Sequence, residues 1–243
     1  MKIVDAHCHV GVGARKKQTI EQLLEQMDLN EIDMAVICPV EEQIIIFNKQ
    51  GNDHMIECQK SFPDRIIGFA VSNPWYGEEG IAELKRALDS GLRGIKFNTS
   101  IQGLFINDRI IYPFIEVAKE YAVPVYFHSG TPIYALPFQL KELAENFKAV
   151  DFIMGHCGYA DSWTDIIPVC KDCNNIYVET SHLTSLSADA PEFTVFGPER
   201  VLFGSDSPML PLELELFKHN NVNLSDHDRS LVMGGNILRL LKQ

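Results

Sequence analysis

Short apolar runs alternate with amphipathic stretches along the whole chain. Residues 2–9 (KIVDAHCH) predict a first strand, and behind it Ile20, Leu23, Leu24 and Met27 recur at the i, i+3, i+4, i+7 spacing of one helix face. Thr19 and Gln22 stand ahead of that helix at capping-box spacing. Residues 34–40 predict a second strand, 48–62 a weaker helix and 66–73 a third strand, stopped by Pro74. The next helix is clearer, with Ile81, Leu84 and Leu88 on one face and Gly91 where a C-terminal glycine is expected.

The same alternation continues to the end. Residues 94–98 predict strand four and 109–121 a helix, with Pro113 in its first turn or at a kink. Strand five spans 125–128, a helix 136–147, strand six 152–156 and a helical stretch 161–172. Strands seven and eight cover 176–181 and 201–206. The last segments are helical, with Ser225 and Asp228 at cap spacing before Leu231, Val232, Ile237, Leu238 and Leu241. No Gly/Ser-rich linker interrupts the pattern. Eight strands alternating with helices at a repeat of roughly 25–30 residues have the rhythm of a parallel sheet with crossover helices. Eight such units predict an α/β fold, a closed (β/α)8 TIM-like barrel, as one domain over residues 1–243.

Charge narrows the partners. Lys and Arg number 21 against 33 Asp and Glu, a formal charge of -12, which disfavours nucleic acid or an anionic membrane surface. A small anion held by a few local cations stays compatible with it. No long apolar leader or membrane-length run is present, so a cytoplasmic protein with a small-molecule substrate is expected. Six cysteines without dense spacing read as reduced thiols. A homodimer is the default assembly.

Polar residues end these apolar strands. Asp5-Ala6-His7-Cys8-His9 places two imidazoles at alternate positions, so strand geometry points both to one face with Asp5 one pleat behind and Ala6 and Cys8 opposite. Lys96, His128, His156 and Asp206 close four further strands, and in such a barrel the C-terminal strand ends form the active-site rim. Four imidazoles and a carboxylate converging there suit a divalent metal, with Zn2+ the first choice, and a metal-bound water. Asp206 is placed to accept that water's proton.

Those residues, with Gly94-Ile95-Lys96, Phe127-His128, Gly155-His156-Cys157-Gly158, Phe203-Gly204-Ser205-Asp206-Ser207-Pro208 and Gly235-Asn236, resemble the amidohydrolase superfamily, specifically its amidohydrolase-related branch, over nearly the whole chain. The resemblance implies a metal-dependent barrel in which His7, His9 and His128 are metal ligands. It makes His156 a ligand or a substrate-polarising group, and Asp206 both ligand and general base. Branch members hydrolyse amides, esters or lactones, while others are non-oxidative decarboxylases of unsaturated or aromatic acids. Hydrolysis of a small, carboxylated or cyclic substrate is the first expectation, because decarboxylase relatives tend to be longer. Decarboxylation is the alternative, and a non-catalytic ligand-binding barrel the third reading.

Lys96 has three readings. A carboxylated lysine at the end of strand four bridges two metals in binuclear relatives, whereas a free ammonium binds a substrate carboxylate or pairs with a structural acid. Carboxylate binding is favoured, with one metal ion rather than two.

Other signals are weaker. Arg15-Lys16-Lys17 read first as a solvated loop, with guidance of an anionic substrate to the cavity as the alternative, and Cys170-x-x-Cys173 as structural. Cys8 and Cys157 are expected to face away from the site. Glu179 and Ser181 are candidates for substrate contact, with Glu179 equally readable as a salt-bridged barrel acid. His54, His182, His219 and His227 lack a comparable setting, although His182 lies just past a strand end at the mouth.

Overall fold

Eight parallel strands form the barrel wall in this computed structural model: β1 (Val4–Val12), β3 (Met34–Pro39), β4 (Ile66–Val71), β5 (Gly94–Phe97), β6 (Val125–His128), β7 (Phe152–Gly155), β8 (Ile176–Glu179) and β9 (Val201–Leu202). A two-residue strand, β2 (Lys17–Gln18), lies antiparallel on the outer end of β1. The structure describes all residues except 184, 185 and 188, and only the backbone of 160, 161, 163, 170, 191 and 192. The Cys170 side chain, half of the Cys-x-x-Cys pair, is thus outside the described residues.

The strands follow one another in sequence order, the arrangement that consecutive right-handed crossovers produce. Closure comes from the segment after β9. Ala6 N donates to Phe203 O at 2.9 Å, Asp206 N to His7 O at 2.8 Å and His9 N to Ser207 O at 2.7 Å. The sheet is therefore a closed barrel, and the seam runs through the residues of interest. Asp5 sews it from the side, with its carboxylate accepting from Ser205 N at 3.0 Å and from the Ser205 hydroxyl. Burial raises Asp5 to about 6 despite these bonds.

A bulge in β1 corrects the expected facing of its side chains. The register with β3 shifts between Asp5 and Cys8, which lets Val4 and Ala6 pack in one apolar cluster while Cys8 and Val10 join another. Asp5 consequently does not share the face of His7. Its Oδ2 accepts from Cys8 Sγ at 3.1 Å. An extra residue in one strand resets the two-residue alternation beyond it.

Each face of the barrel has its own core. The inner cluster joins Val4, Met34, Val36, Ile67, Phe69, Tyr126, Ile153 and Leu202 to Ile237 and Leu240 of the final helix, Asn236–Leu240, which plugs the N-terminal end. The outer cluster packs Ile37, Ile95, Phe97, Val125, Phe127, Phe152 and Val178 against the helices. Helix ends follow the sequence signals. Thr19 and Gln22 form the capping box of the helix Ile20–Leu29, a contribution of about 1 kcal/mol. Pro113 lies in the first turn of the helix Tyr112–Tyr121, and Ser225 accepts from Asp228 N. The short helices Glu41–Ile45 and Thr99–Gln102 sit in βα loops that showed no such pattern.

Candidate metal centre

The strand-end residues converge on Asp206. Its Oδ1 lies 3.3 Å from His7 Nε2 and 3.1 Å from His9 Nε2, and all three residues are almost fully buried. The second imidazole nitrogen of His9 explains its aim. Nδ1 lies 2.8 Å from the carbonyl oxygen of Pro39, which can only accept. Nδ1 therefore carries the proton, and in the neutral ring Nε2 keeps its lone pair for the cavity. His7 is held flat against Tyr126, with ring centroids 4.2 Å apart.

A second run of contacts orders the other two histidines. Ser181 Oγ donates to Glu179 Oε2 at 3.0 Å and lies 2.8 Å from His156 Nδ1. The Ser181 proton is thus spent on Glu179, so His156 Nδ1 donates to the serine and Nε2 accepts. His128 Nδ1 lies 3.0 Å from that Nε2, and His128 Nε2 lies 2.8 Å from Thr131 Oγ1. His128 is therefore tied to His156 and Thr131 rather than drawn onto Asp206. Glu179 also accepts from Tyr126 OH at 2.7 Å and Ser181 N, so it is a buried acid that orients neighbours. Burial raises its pKa.

Several site residues occupy unusual backbone conformations. Asp206, His156 and His182 have φ of 52°, 61° and 67°, left-handed values uncommon outside glycine that concentrate where a side chain must be aimed. They turn the chain just past β9, β7 and β8.

Lys96, on β5, is 1% exposed. Its Nζ lies 3.3 Å from His7 Nε2 and 3.8 Å from the centre of the Tyr126 ring. Among the described residues no carboxylate lies within 4.0 Å of it. Burial lowers its pKa to about 8, so it stays mostly charged at neutral pH.

Three further residues belong to this cavity. Lys16, expected in a solvated loop, is 8% exposed and reaches Asp206 Oδ1 at 3.2 Å. His182 places Nε2 2.7 Å from Asp206 Oδ2 and Nδ1 3.2 Å from Tyr159 OH. Cys38, at the end of β3, lies 3.3 Å from His9 Nδ1 and 3.8 Å from His7 Nδ1, behind both rings. The signal for Cys38 was its place at a strand end, next to Pro39. His182 was marked only by its place just past a strand end, and no local pattern aimed Lys16 inward, because a hairpin brings it in.

The electrostatics favour ligand forms. Burial, then the neighbouring Lys96 charge, holds His7 well below its usual value and His128 down to about 3. Burial and His128 do the same to His156. Burial works against charge on His9, but the Cys38 sulfur and the Asp206 carboxylate raise its pKa. Burial also opposes the Asp206 charge, yet the His182, His7 and His9 side chains beside it hold it well below the usual carboxylate range. A His7 ring held neutral and an ionised Asp206 carboxylate, with His9 Nε2 turned to the same point, fit a divalent metal. His7, His9 and Asp206 would hold it, and His182 and His156 stand within 4.8 Å of Asp206 as further donors.

The amidohydrolase family model matches residues 4–243. This chain belongs to the amidohydrolase family. The amidohydrolase chain is 28% identical over 144 residues to 2-amino-3-carboxymuconate-6-semialdehyde decarboxylase of Dictyostelium discoideum, an alignment covering 52% of this chain and 40% of that protein. It is 22% identical over 246 residues to γ-resorcylate decarboxylase of Polaromonas sp. JS666, covering 80% and 76%. A solved dihydroxybenzoic acid decarboxylase from Polaromonas sp. JS666, with bound manganese and 2-nitroresorcinol, superposes with TM-score 0.78 at 18% identity over 99% of this chain and 97% of that one. At that identity the superposition shows the fold.

These likenesses reorder the expected reactions. All three proteins are named for decarboxylation, and none for hydrolysis. The solved structure holds manganese, so a divalent metal has better support than Zn2+ in particular. Among the described residues no helix is long and apolar enough to cross a membrane.

Proposed function

We propose that this amidohydrolase-family chain is a divalent-metal-dependent, non-oxidative decarboxylase of a small unsaturated or aromatic acid. The observation that carries the reading is Lys96: a buried ammonium beside His7, inside the cavity, with no carboxylate of the described residues within 4.0 Å, Asp206 and Glu179 acting on it only from further off. An unpaired buried charge is costly, and a substrate carboxylate supplies its partner. The decarboxylase names of the relatives support the reaction class.

A metal held by His7, His9 and Asp206 supplies Lewis acidity toward the oxygens of the bound acid. The chain's own residues do the rest. Lys96 anchors the acid and turns it toward the buried face of Asp206. As the bond from carboxyl carbon to the adjacent carbon breaks, its electron pair stays on that adjacent carbon and CO2 departs. One proton, taken up from solvent, must reach that carbon, and Asp206 and His156, whose donor atoms lie within 4.8 Å of each other, are the groups placed to relay it. Ser181 and Glu179 fix the His156 ring, and the apolar barrel beneath excludes water from the carbanionic carbon.

The test is CO2 release from hydroxybenzoates and carboxylated muconate-type acids, using protein loaded with Mn2+ or Zn2+. Turnover is expected with wild type, with at least about a hundred-fold loss in Asp206→Asn and a raised KM in Lys96→Met. Hydrolysis of lactones or amides with no CO2 from any acid overturns the reading.

A further inference from the structure

The hairpin after β1 delivers a lysine to the barrel mouth, and its seat is built. Gly11 pairs with Gln18 and Val12 with Lys17. Gln18 then ties the hairpin to the seam: its Nε2 donates to His9 O at 3.1 Å, and its Oε1 accepts from Ser207 Oγ at 2.9 Å. On the far side Ala14 N donates to Glu42 Oε1 at 2.7 Å, and a side chain on Gly13 would collide with the Glu42 carboxylate. With both edges fixed, Lys16 turns inward while Arg15 and Lys17 stay exposed. Lys16 Nζ lies 3.2 Å from Asp206 Oδ1 and 3.8 Å from Glu41 Oε1.

Charge balance then points to a ligand. Asp206 Oδ1 is also the oxygen that His7 and His9 address. A divalent ion held by those three residues would compete with Lys16 for that oxygen, leaving Lys16 the longer contact to Glu41. On the opposite flank Lys96 has no carboxylate of the described residues within 4.0 Å, Asp206 and Glu179 acting on it only from further off. Two ammonium groups beside a divalent cation, in a cavity of low dielectric, are strongly unfavourable until anions enter. One carboxylate answers Lys96 and leaves Lys16 with the 3.8 Å contact to Glu41 alone.

We infer that Lys16 is a specificity-determining residue that binds a second carboxylate, so that the substrate is a dicarboxylic unsaturated or aromatic acid. The identity of the reaction rests on the decarboxylase reading above; the binding preference does not. The geometry asks for a compact diacid, since contacts of 3.2–3.3 Å through Asp206 and His7 link the two lysines.

The test is calorimetric binding of isophthalate and benzoate to manganese-loaded protein, with Lys16→Met, Lys16→Arg and Lys17→Met beside wild type. Wild type is expected to bind isophthalate about ten-fold or more tightly than benzoate, the scale of one charged hydrogen bond. Lys16→Met should bring the two ligands within about two-fold by weakening isophthalate alone. Lys16→Arg and Lys17→Met should keep the preference. Apo Lys16→Met should bind Mn2+ at least as tightly as wild type, because a competitor for Asp206 Oδ1 is gone, which also shows an intact site. Equal binding of both ligands by wild type, or equal loss of both in Lys16→Met, overturns the inference. A diacid preference without CO2 release from any acid sinks the decarboxylase reading and leaves the role of Lys16 standing. CO2 release from monoacids without a diacid preference does the reverse.

Discussion

His9 Nδ1 lies 2.8 Å from the carbonyl oxygen of Pro39. That bond selects the tautomer whose Nε2 faces Asp206, so the β3 backbone prepares a β1 side chain to bind a cation. Protein purified without chelator is expected to carry about one equivalent of divalent metal, and His9→Ala less than about a tenth. Elemental mass spectrometry reads both. About two equivalents would instead support a carboxylated Lys96 bridging a pair of ions.

Gly155 has no room for a side chain. A methyl group there would run into the hydroxyl end of Tyr126, whose ring backs His7 and lies 3.8 Å from Lys96 Nζ. Gly155→Ala is therefore expected to cost about 1–3 kcal/mol by overpacking and to weaken metal binding in the same variant. Urea midpoints and Mn2+ titration measure the two effects. An unchanged midpoint would show that Tyr126 yields freely.

Acid sensitivity should come in part from a histidine outside the cavity. His219 is fully buried, with Nε2 2.7 Å from Thr180 Oγ1. Burial, helped by Lys218 and Arg229, lowers its pKa from 6.5 to about 3. Between those values the unfolded chain binds a proton that the folded chain refuses. Stability therefore falls as pH drops below 6.5, by up to about 1.4 kcal/mol per pH unit. Urea unfolding from pH 7 to pH 5 should show a shallower loss in His219→Asn than in wild type. Parallel losses would mean that His219 titrates normally in the folded protein.

The order of elements and most of the rim were legible in residue order. Apolar periodicity reports burial one element at a time, and a polar residue that ends a buried strand is conspicuous for the same reason. His7, His9, Lys96, His128, His156 and Asp206 were found that way. The side of β1 that Asp5 faces was not legible, because the bulge resets the alternation and its cause is pairing with β3.

Lys16 and His182 mark the limit more sharply. Lys16 lies in a loop that reads as solvated and His182 was placed only near the mouth, yet one reaches Asp206 Oδ1 and the other Oδ2. The alternation of strands and helices, and the chemistry carried at each strand end, follow from local burial and were set by the sequence alone. Which loop cations enter the cavity, and that His128 pairs with His156 rather than with Asp206, follow from barrel closure. Closure brings residues 16, 182 and 206 within bonding distance, and contacts between groups so far apart along the chain leave no periodic trace in it.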